Sequence, residues 1–234
     1  MSPPRLHYRG NDGVVNFPSV LRQFKQQGCT LLITGDVSRY ISGLATRRML
    51  GHPDEEHKRI LTLTDARSKY LDYCLPPSVS RDQQDLWIVD PTGAERTIPS
   101  TATDIELPSV TTDQSDLNRL RQELVQAVSF FDDTANGLDR SELRVGVSAL
   151  DTLLADNNEQ AVKRFVRTVN ALIRGVNGMG HVRITLPDGH PTVRELSPLF
   201  DARVELRKRG VLKPEQRWHL PRHGITTVWT ELNG

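Results

Sequence analysis

The stretch Gly28 to Gly51, GCTLLITGDVSRYISGLATRRMLG, leaves few folds open to this chain. Thr30 to Thr34 is an unbroken β-favouring run without polar alternation, the pattern of a central parallel strand covered on both faces. Gly35-Asp36-Val37 is a turn, and Ser38 is a good helix N-cap. Ile41, Leu44, Ala45 and Met49 then recur on one helical face, and Gly51 suits a left-handed C-terminal cap. Strand, tight turn and amphipathic helix together open an α/β domain. In nucleotide-binding α/β proteins the phosphate loop occupies this turn and reads Gly, four residues, then Gly-Lys-Ser/Thr. Counting from Gly35, Tyr40 stands at the second glycine, Ile41 at the lysine, and only Ser42 matches.

The rest of the chain supplies further strands and helices in alternation. A helix is expected over Phe17 to Gln27, with Val20, Leu21 and Phe24 inward. Strands follow at Arg59 to Thr64, Asp85 to Asp90, Glu142 to Val147 and His181 to Leu186. Helices are expected from Asp65 to about Cys74, from Ser115 to about Phe131, from about Asn158 to Val176, and over Thr192 to Phe200 with a break near Pro198. Ala202 to Arg207, Gln216 to Leu220 and Thr226 to Leu232 alternate apolar and polar, with turns at Gly210 and Gly224, and read as antiparallel strands closing one edge. The fold class is therefore α/β: a doubly wound, mostly parallel sheet flanked by helices, with a C-terminal antiparallel meander. With 234 residues the chain suits one large domain, read as 19–234 behind a loose polar arm at 1–18. Residues 91–114, rich in Pro, Thr, Ser and Asp, form the longest irregular stretch.

This order resembles that of the RecA/KaiC group of P-loop ATPases. More closely, the chain is similar to an uncharacterised family of KaiC/RecA-related proteins from halophilic archaea. The residues that carry the resemblance are Leu31-Leu-Ile-Thr-Gly-Asp36, Arg59-Ile-Leu-Thr-Leu-Thr-Asp65, Leu143-Arg-Val145 and Gly178-Met-Gly-His181. Ser197-Pro-Leu-Phe-Asp201, Val204-Glu-Leu206 and Glu215-Gln-Arg-Trp-His-Leu220 complete it. The resemblance covers about residues 15–232 and implies a RecA-like fold with no established reaction. The sequence departs from the ATPase pattern at two places: the phosphate loop, and the strand ending Val145-Gly-Val147-Ser148, where Ser148 replaces the Walker B aspartate. Its composition also lacks the strong acidity of proteins adapted to high salt.

Ligands of open α/β sheets bind beyond the carboxyl ends of the strands. Those ends carry Asp36, Asp65, Asp90, Ser148 and Asp188. A triphosphate there would meet carboxylates without the lysine that offsets them; two like unit charges 4 Å apart repel by about 4 kcal/mol at an effective dielectric of 20. Gly35, Asp36, Ser38, Ser42, Asp65 and Ser148 are therefore read as a degenerate nucleotide pocket, with no catalytic residue, no metal and no cofactor. Three further patterns have bland explanations. Ser148, Asp201 and His219 follow the chain order of an α/β-hydrolase triad, but Leu150 stands where the nucleophile turn needs its last glycine. His52-Pro-Asp-Glu-Glu-His57 gathers metal-ligand types in a solvated connector. Trp87 and Trp218 are expected in the core, and His181 as a hydrogen-bonded turn residue.

No apolar run approaches the roughly 20 residues of a membrane span. No signal-like core opens the chain, and Cys29 and Cys74 lack metal spacing, so a cytoplasmic protein is expected. The formal net charge of +1 hides a segregation: residues 82–160 carry 5 basic and 16 acidic side chains, residues 161–223 carry 13 and 5. Arg207, Lys208, Arg209 and Lys213 crowd the Gly210 turn and are expected to repel one another unless an acidic partner relieves them. The function expected is a non-catalytic regulatory or signalling module acting through a protein partner. Nucleic acid is less favoured, because no base-stacking or groove-reading motif accompanies the charge. An ATPase with a non-standard loop and a DNA-associated RecA-like accessory protein are the alternatives.

Overall fold

A computed structural model describes residues 16–52, 54–63, 68–80, 83–90, 97–102, 116–148 and 150–233. Its elements, in chain order, are α1 (Phe17–Gln27), β1 (Cys29–Thr34), α2 (Arg39–Met49), β2 (Lys58–Thr62), α3 (Ser68–Cys74), β3 (Leu86–Val89), α4 (Asp116–Thr134), β4 (Leu143–Val147), α5 (Leu150–Asp156), α6 (Glu159–Gly175), β5 (Met179–Arg183), α7 (Pro191–Leu196), β6 (Ala202–Arg207), β7 (Glu215–Leu220), β8 (Ile225–Thr226) and β9 (Thr230–Glu231). The strands form one sheet in the order β3-β2-β4-β5-β1-β6-β7-β8, with β9 also on β7. Every pair from β3 through β6 is parallel, and β7 to β9 are antiparallel. This is the doubly wound sheet with a C-terminal meander that the alternation of patterns predicts. Among the described residues no helix is long and apolar enough to cross a membrane.

The helices start where the sequence provides caps. Asn16, Ser38 and Asn158 each accept a backbone N–H at the N-terminus of α1, α2 and α6. Gly51 follows α2 at φ +91°, the left-handed geometry expected of it. The predicted caps Asp65 and Ser115, residues 1–15 of the arm read as 1–18, and most of 91–114 lie outside the described residues. Three details differ from the sequence reading. The first of the three terminal strands, β6, is parallel to β1 and only then turns into the antiparallel β7. Strand β5 begins at Met179, because α6 ends at Gly175 and Asn177 already turns the chain at φ 50°. Short α5 escaped the periodicity altogether; its seven residues bury only Leu150 and Leu153.

The two faces of the sheet are covered differently. Helices α4 to α7 lie over one face and share a single continuous core with Leu32, Ile60, Trp87, Val145 and Val182. On the opposite face two clusters remain separate: one joins α1 and α2 to β1, β6 and β7, and the other joins α3 to β2 and β3. Between them, β4 and β5 present Arg144, Gly146, His181 and Arg183 instead of aliphatic side chains. Arg59 stands beside this polar stripe and donates to the carbonyls of Leu50, His52 and His57. Its cation thus serves the C-terminus of α2, where helix carbonyls lack partners.

Candidate functional site

The carboxyl edge of the sheet holds the Gly35-Asp36-Val37 turn. Only Gly35 to Ser38 connect β1 to α2. Gly35 has φ +133°, and a Cβ on it would lie 2.4 Å from the carbonyl oxygen of Leu206 in β6. Its N–H donates to the Leu186 carbonyl at 2.8 Å. Glycine is required here by a neighbouring strand. Ser38 Oγ accepts the N–H of Ile41 at 3.5 Å, so that amide already has an acceptor. Ile41, at the lysine position, is buried in the α1/α2 core. Tyr40, at the glycine position, is half exposed and packs edge-on against Tyr73 of α3 at 5.3 Å. Ser42, the one matching residue, turns its hydroxyl back to the Arg39 carbonyl at 3.0 Å.

The other edge residues do not gather round this turn. Ser148 is buried, two strands away, and its Oγ donates to the Thr62 carbonyl at 2.5 Å, tying β4 to β2. Asp90 is buried at the end of β3, whereas Asp36 is exposed. Asp65 lies outside the described residues. Asp188 does reach the end of β1, where it accepts from Thr34 Oγ1 at 2.9 Å and from both Nε and Nη2 of Arg203 at 2.8 and 3.0 Å. Burial alone would raise the Asp188 carboxyl; the hydrogen bonds and charge of Arg203 outweigh it and hold the group below the ordinary carboxylate range.

A hydrolase triad is excluded by strand direction. Ser148 follows β4 and Asp201 precedes β6, and the chain of parallel pairs from β4 to β6 puts them at opposite edges. Asp201 instead accepts the Thr30 N–H at 2.8 Å and Arg174 Nη2 at 2.7 Å, fastening α6 to the amino end of β1. Gly146, two residues before Ser148, makes room for a ring: a Cβ there would approach His181 Cε1 to 2.9 Å.

Asp188, Glu205 and His219 present ligand atoms within 4.8 Å of one another, the single such metal-ligand group among the described residues. Each already has a protein partner. Arg203 holds Asp188, Arg217 Nε donates to Glu205 at 2.6 Å, and His219 Nε2 lies 2.8 Å from the same Glu205 oxygen. Two guanidinium groups neutralise the carboxylates a cation would need, so the chemistry is that of an ion-pair ladder across β6 and β7. Spacing hid this group, since its members come from one loop and two strands. The period-2 alternation of β6 and β7 was the signal available. His52 and His57 do not converge: His57 is buried against Glu55 at 2.8 Å, and His52 is exposed beside Asp54.

The β6–β7 turn carries the cations singled out in the sequence, and three of the four have carboxylate neighbours. Arg207 and Arg209 meet Glu215 at 2.9 and 3.3 Å, and Lys213 meets Glu231 at 3.0 Å. The hydrogen bond from Arg207 holds the Glu215 carboxyl below its ordinary range. Arg207 also lies 3.7 Å above the ring centroid of Trp229, a contact no sequence spacing announces. The expected mutual repulsion is therefore largely relieved within the chain. The tip itself, residues 208–213, is exposed throughout, with Val211 entirely so and Leu212 56% exposed.

Comparison with known proteins agrees with this architecture. Over residues 28–206 the sequence matches the model of a family of unknown function, DUF7504. No curated protein matches it. Among solved structures, a KaiC-like protein of the hyperthermophilic archaeon Pyrococcus horikoshii OT3 superposes with a TM-score of 0.54 at 10% identity, covering 86% of this chain and 90% of the other. An uncharacterized protein of Pyrococcus horikoshii, solved with an unknown peptide, gives 0.56 at 10% identity over 86% and 92%. The fold is thus that of the KaiC-like, RecA-type neighbours. At this identity the likeness extends to the fold alone.

Proposed function

The chain belongs to DUF7504, a family of unknown function, and from that premise we propose that it is a non-catalytic RecA-like regulatory module. It acts by docking a protein partner and does not turn over nucleotide. The observation that carries this reading is the β1–α2 turn. A phosphate needs free backbone amides, a lysine and a hydroxyl for its metal ion. Here the Gly35 amide bonds to Leu186, Ile41 occupies the lysine position, and the Ser42 hydroxyl bonds to Arg39. Gly35, Ser38, Ser42 and Ser148 are accordingly assigned to holding the sheet edge together.

The β6–β7 turn is the docking element in this reading. Val211 and Leu212 are its apolar tip, and Arg207, Lys208, Arg209 and Lys213 are its cationic collar. Exposed ion pairs such as Lys213–Glu231 contribute only about 0–1 kcal/mol and exchange readily for carboxylates on a partner. A collar of this kind steers an acidic surface toward the tip in a salt-dependent way. Changing Val211 and Leu212 to Ser, or the four cations to Gln, should reduce recovery of the native partner by affinity capture at least several-fold, with a cooperative thermal transition retained in both variants. Undiminished capture by both variants would remove the turn from the interface. Retention on DNA at physiological salt would favour the accessory-protein reading.

A further inference from the structure

The amino edge of the sheet, opposite the β1–α2 turn, contains a pocket of about 510 Å³. Its walls come from the end of α1 (Lys25, Gln26), the loop before β2 (Glu55, Glu56, His57) and the turn into β4 (Asp139 to Glu142, Arg144). Arg144 is only 5% exposed, yet no carboxylate lies within ion-pair distance of it among the described residues. Its Nη1 has the thioether sulfur of Met179 at 2.7 Å, a weak acceptor, and its Nε has no partner. Its Nη2 lies 3.5 Å from His57 Nε2, which is itself 2.8 Å from the Glu55 carboxylate. One ring nitrogen cannot serve both. If it carries the proton for Glu55, Arg144 loses its acceptor; if it accepts from Arg144, it faces a carboxylate without a proton. Burial and the adjacent Arg144 both lower the His57 pKa, against the hydrogen bond to Glu55, which raises it. His57 Nδ1 is buried without a partner as well.

A buried guanidinium without a directly bonded counter-charge is among the costlier arrangements a fold can keep, and Glu55, on the far side of His57, offsets it only at a distance. Its planar fork matches the oxygens of carboxylate and phosphate. We propose that this pocket is a binding site for a small oxyanion, a carboxylate or phosphate group, held by Arg144 with Lys25 and Arg140 at the rim. The rim also bears Glu55, Glu56, Asp139 and Glu142. Two of these are engaged, Glu55 with His57 and Glu142 with the Asp139 N–H at 2.8 Å. Their field opposes anions in proportion to charge, so it excludes multiply charged ligands most strongly and leaves a compact, singly charged group as the one best accommodated.

The test uses the full chain and its thermal midpoint in sodium phosphate and in sodium acetate, each against sodium chloride at equal ionic strength. A ligand that binds only the folded state raises the midpoint with its concentration. At least one of the two anions should give a saturable rise of several degrees. Phosphate alone assigns a phosphoryl ligand, acetate alone a carboxylate, and both together any compact oxyanion. Arg144→Met should abolish the rise while keeping the midpoint in chloride at or above that of the parent. No saturable rise with either anion, or an equal rise in Arg144→Met, overturns the proposal. Should Arg144→Met not fold, the double change Lys25→Gln, Arg140→Gln replaces it; the apparent affinity should then fall several-fold, and unchanged affinity overturns the site.

Discussion

Trp87→Ala should lower the unfolding free energy by about 3–5 kcal/mol, the range for deleting a large aromatic side chain from a core. Trp87 is fully buried on β3, at the edge of the parallel sheet, and its ring meets Phe130 and Phe131 of α4 edge-on at 5.6 and 6.4 Å. Each such aromatic pair adds about 0.5–1.5 kcal/mol beyond the area it buries. The indole N–H lies 3.5 Å from the buried carboxylate of Glu123, so alanine removes a donor from an already desolvated acid. Set against a domain stability of about 5–15 kcal/mol, this loss is severe. Urea denaturation of the two proteins measures it. A change under about 1 kcal/mol would mean that α4 does not pack on β3 as described.

Acid should destabilise the fold well above the pH at which carboxylates titrate, and His181 should be the main cause. The ring sits between Leu31 and Gly146 on the polar stripe of β4 and β5, only 3% exposed. Burial, then the charges of Arg183 and Arg144, push its pKa down to about 3. In the unfolded chain it takes up a proton near pH 6.5. Between those values the unfolded state binds the extra proton, so stability rises with pH and falls as pH is lowered. The loss from this group alone comes to about 2–3 kcal/mol by pH 4.5. His57, also shifted downward, acts in the same direction. His181→Leu removes the titration and should flatten the stability profile between pH 6.5 and 4.5 relative to the parent. Parallel profiles for the two proteins would show that the ring is hydrated in the native state.

Much of the fold was legible in the sequence because burial and period coincide there. The run Thr30 to Thr34 is buried on both faces as β1, and Val162, Phe165, Val166, Val169 and Ile173 of α6 all enter the core. The strict alternation of Ala202 to Arg207 gave β6 its limits, but alternation carries no direction, and β6 proved parallel to β1. The candidate site was legible only in what the turn lacks, namely the second glycine and the lysine. What fills the space could not be read. Gly35 answers to a carbonyl 171 positions later, and Ser148 to a carbonyl on β2. Arg144 was invisible for the same reason. In the sequence it is a polar residue inside the strand Glu142 to Val147, and the pocket around it is assembled from α1, the loop before β2 and the turn into β4.

The closure of the β1–α2 turn to phosphate is tested most directly by calorimetric titration of the full chain with Mg²⁺-ATP. The Gly35 amide, the Ser42 hydroxyl and the Ile41 side chain are committed to the protein interior, and no lysine stands in the turn. The expected result is no binding heat beyond dilution, a dissociation constant no tighter than about 1 mM, which corresponds to roughly −4 kcal/mol. A dissociation constant near 1 μM, about −8 kcal/mol, would contradict the assignment and make this protein a nucleotide-binding member of the KaiC-like fold.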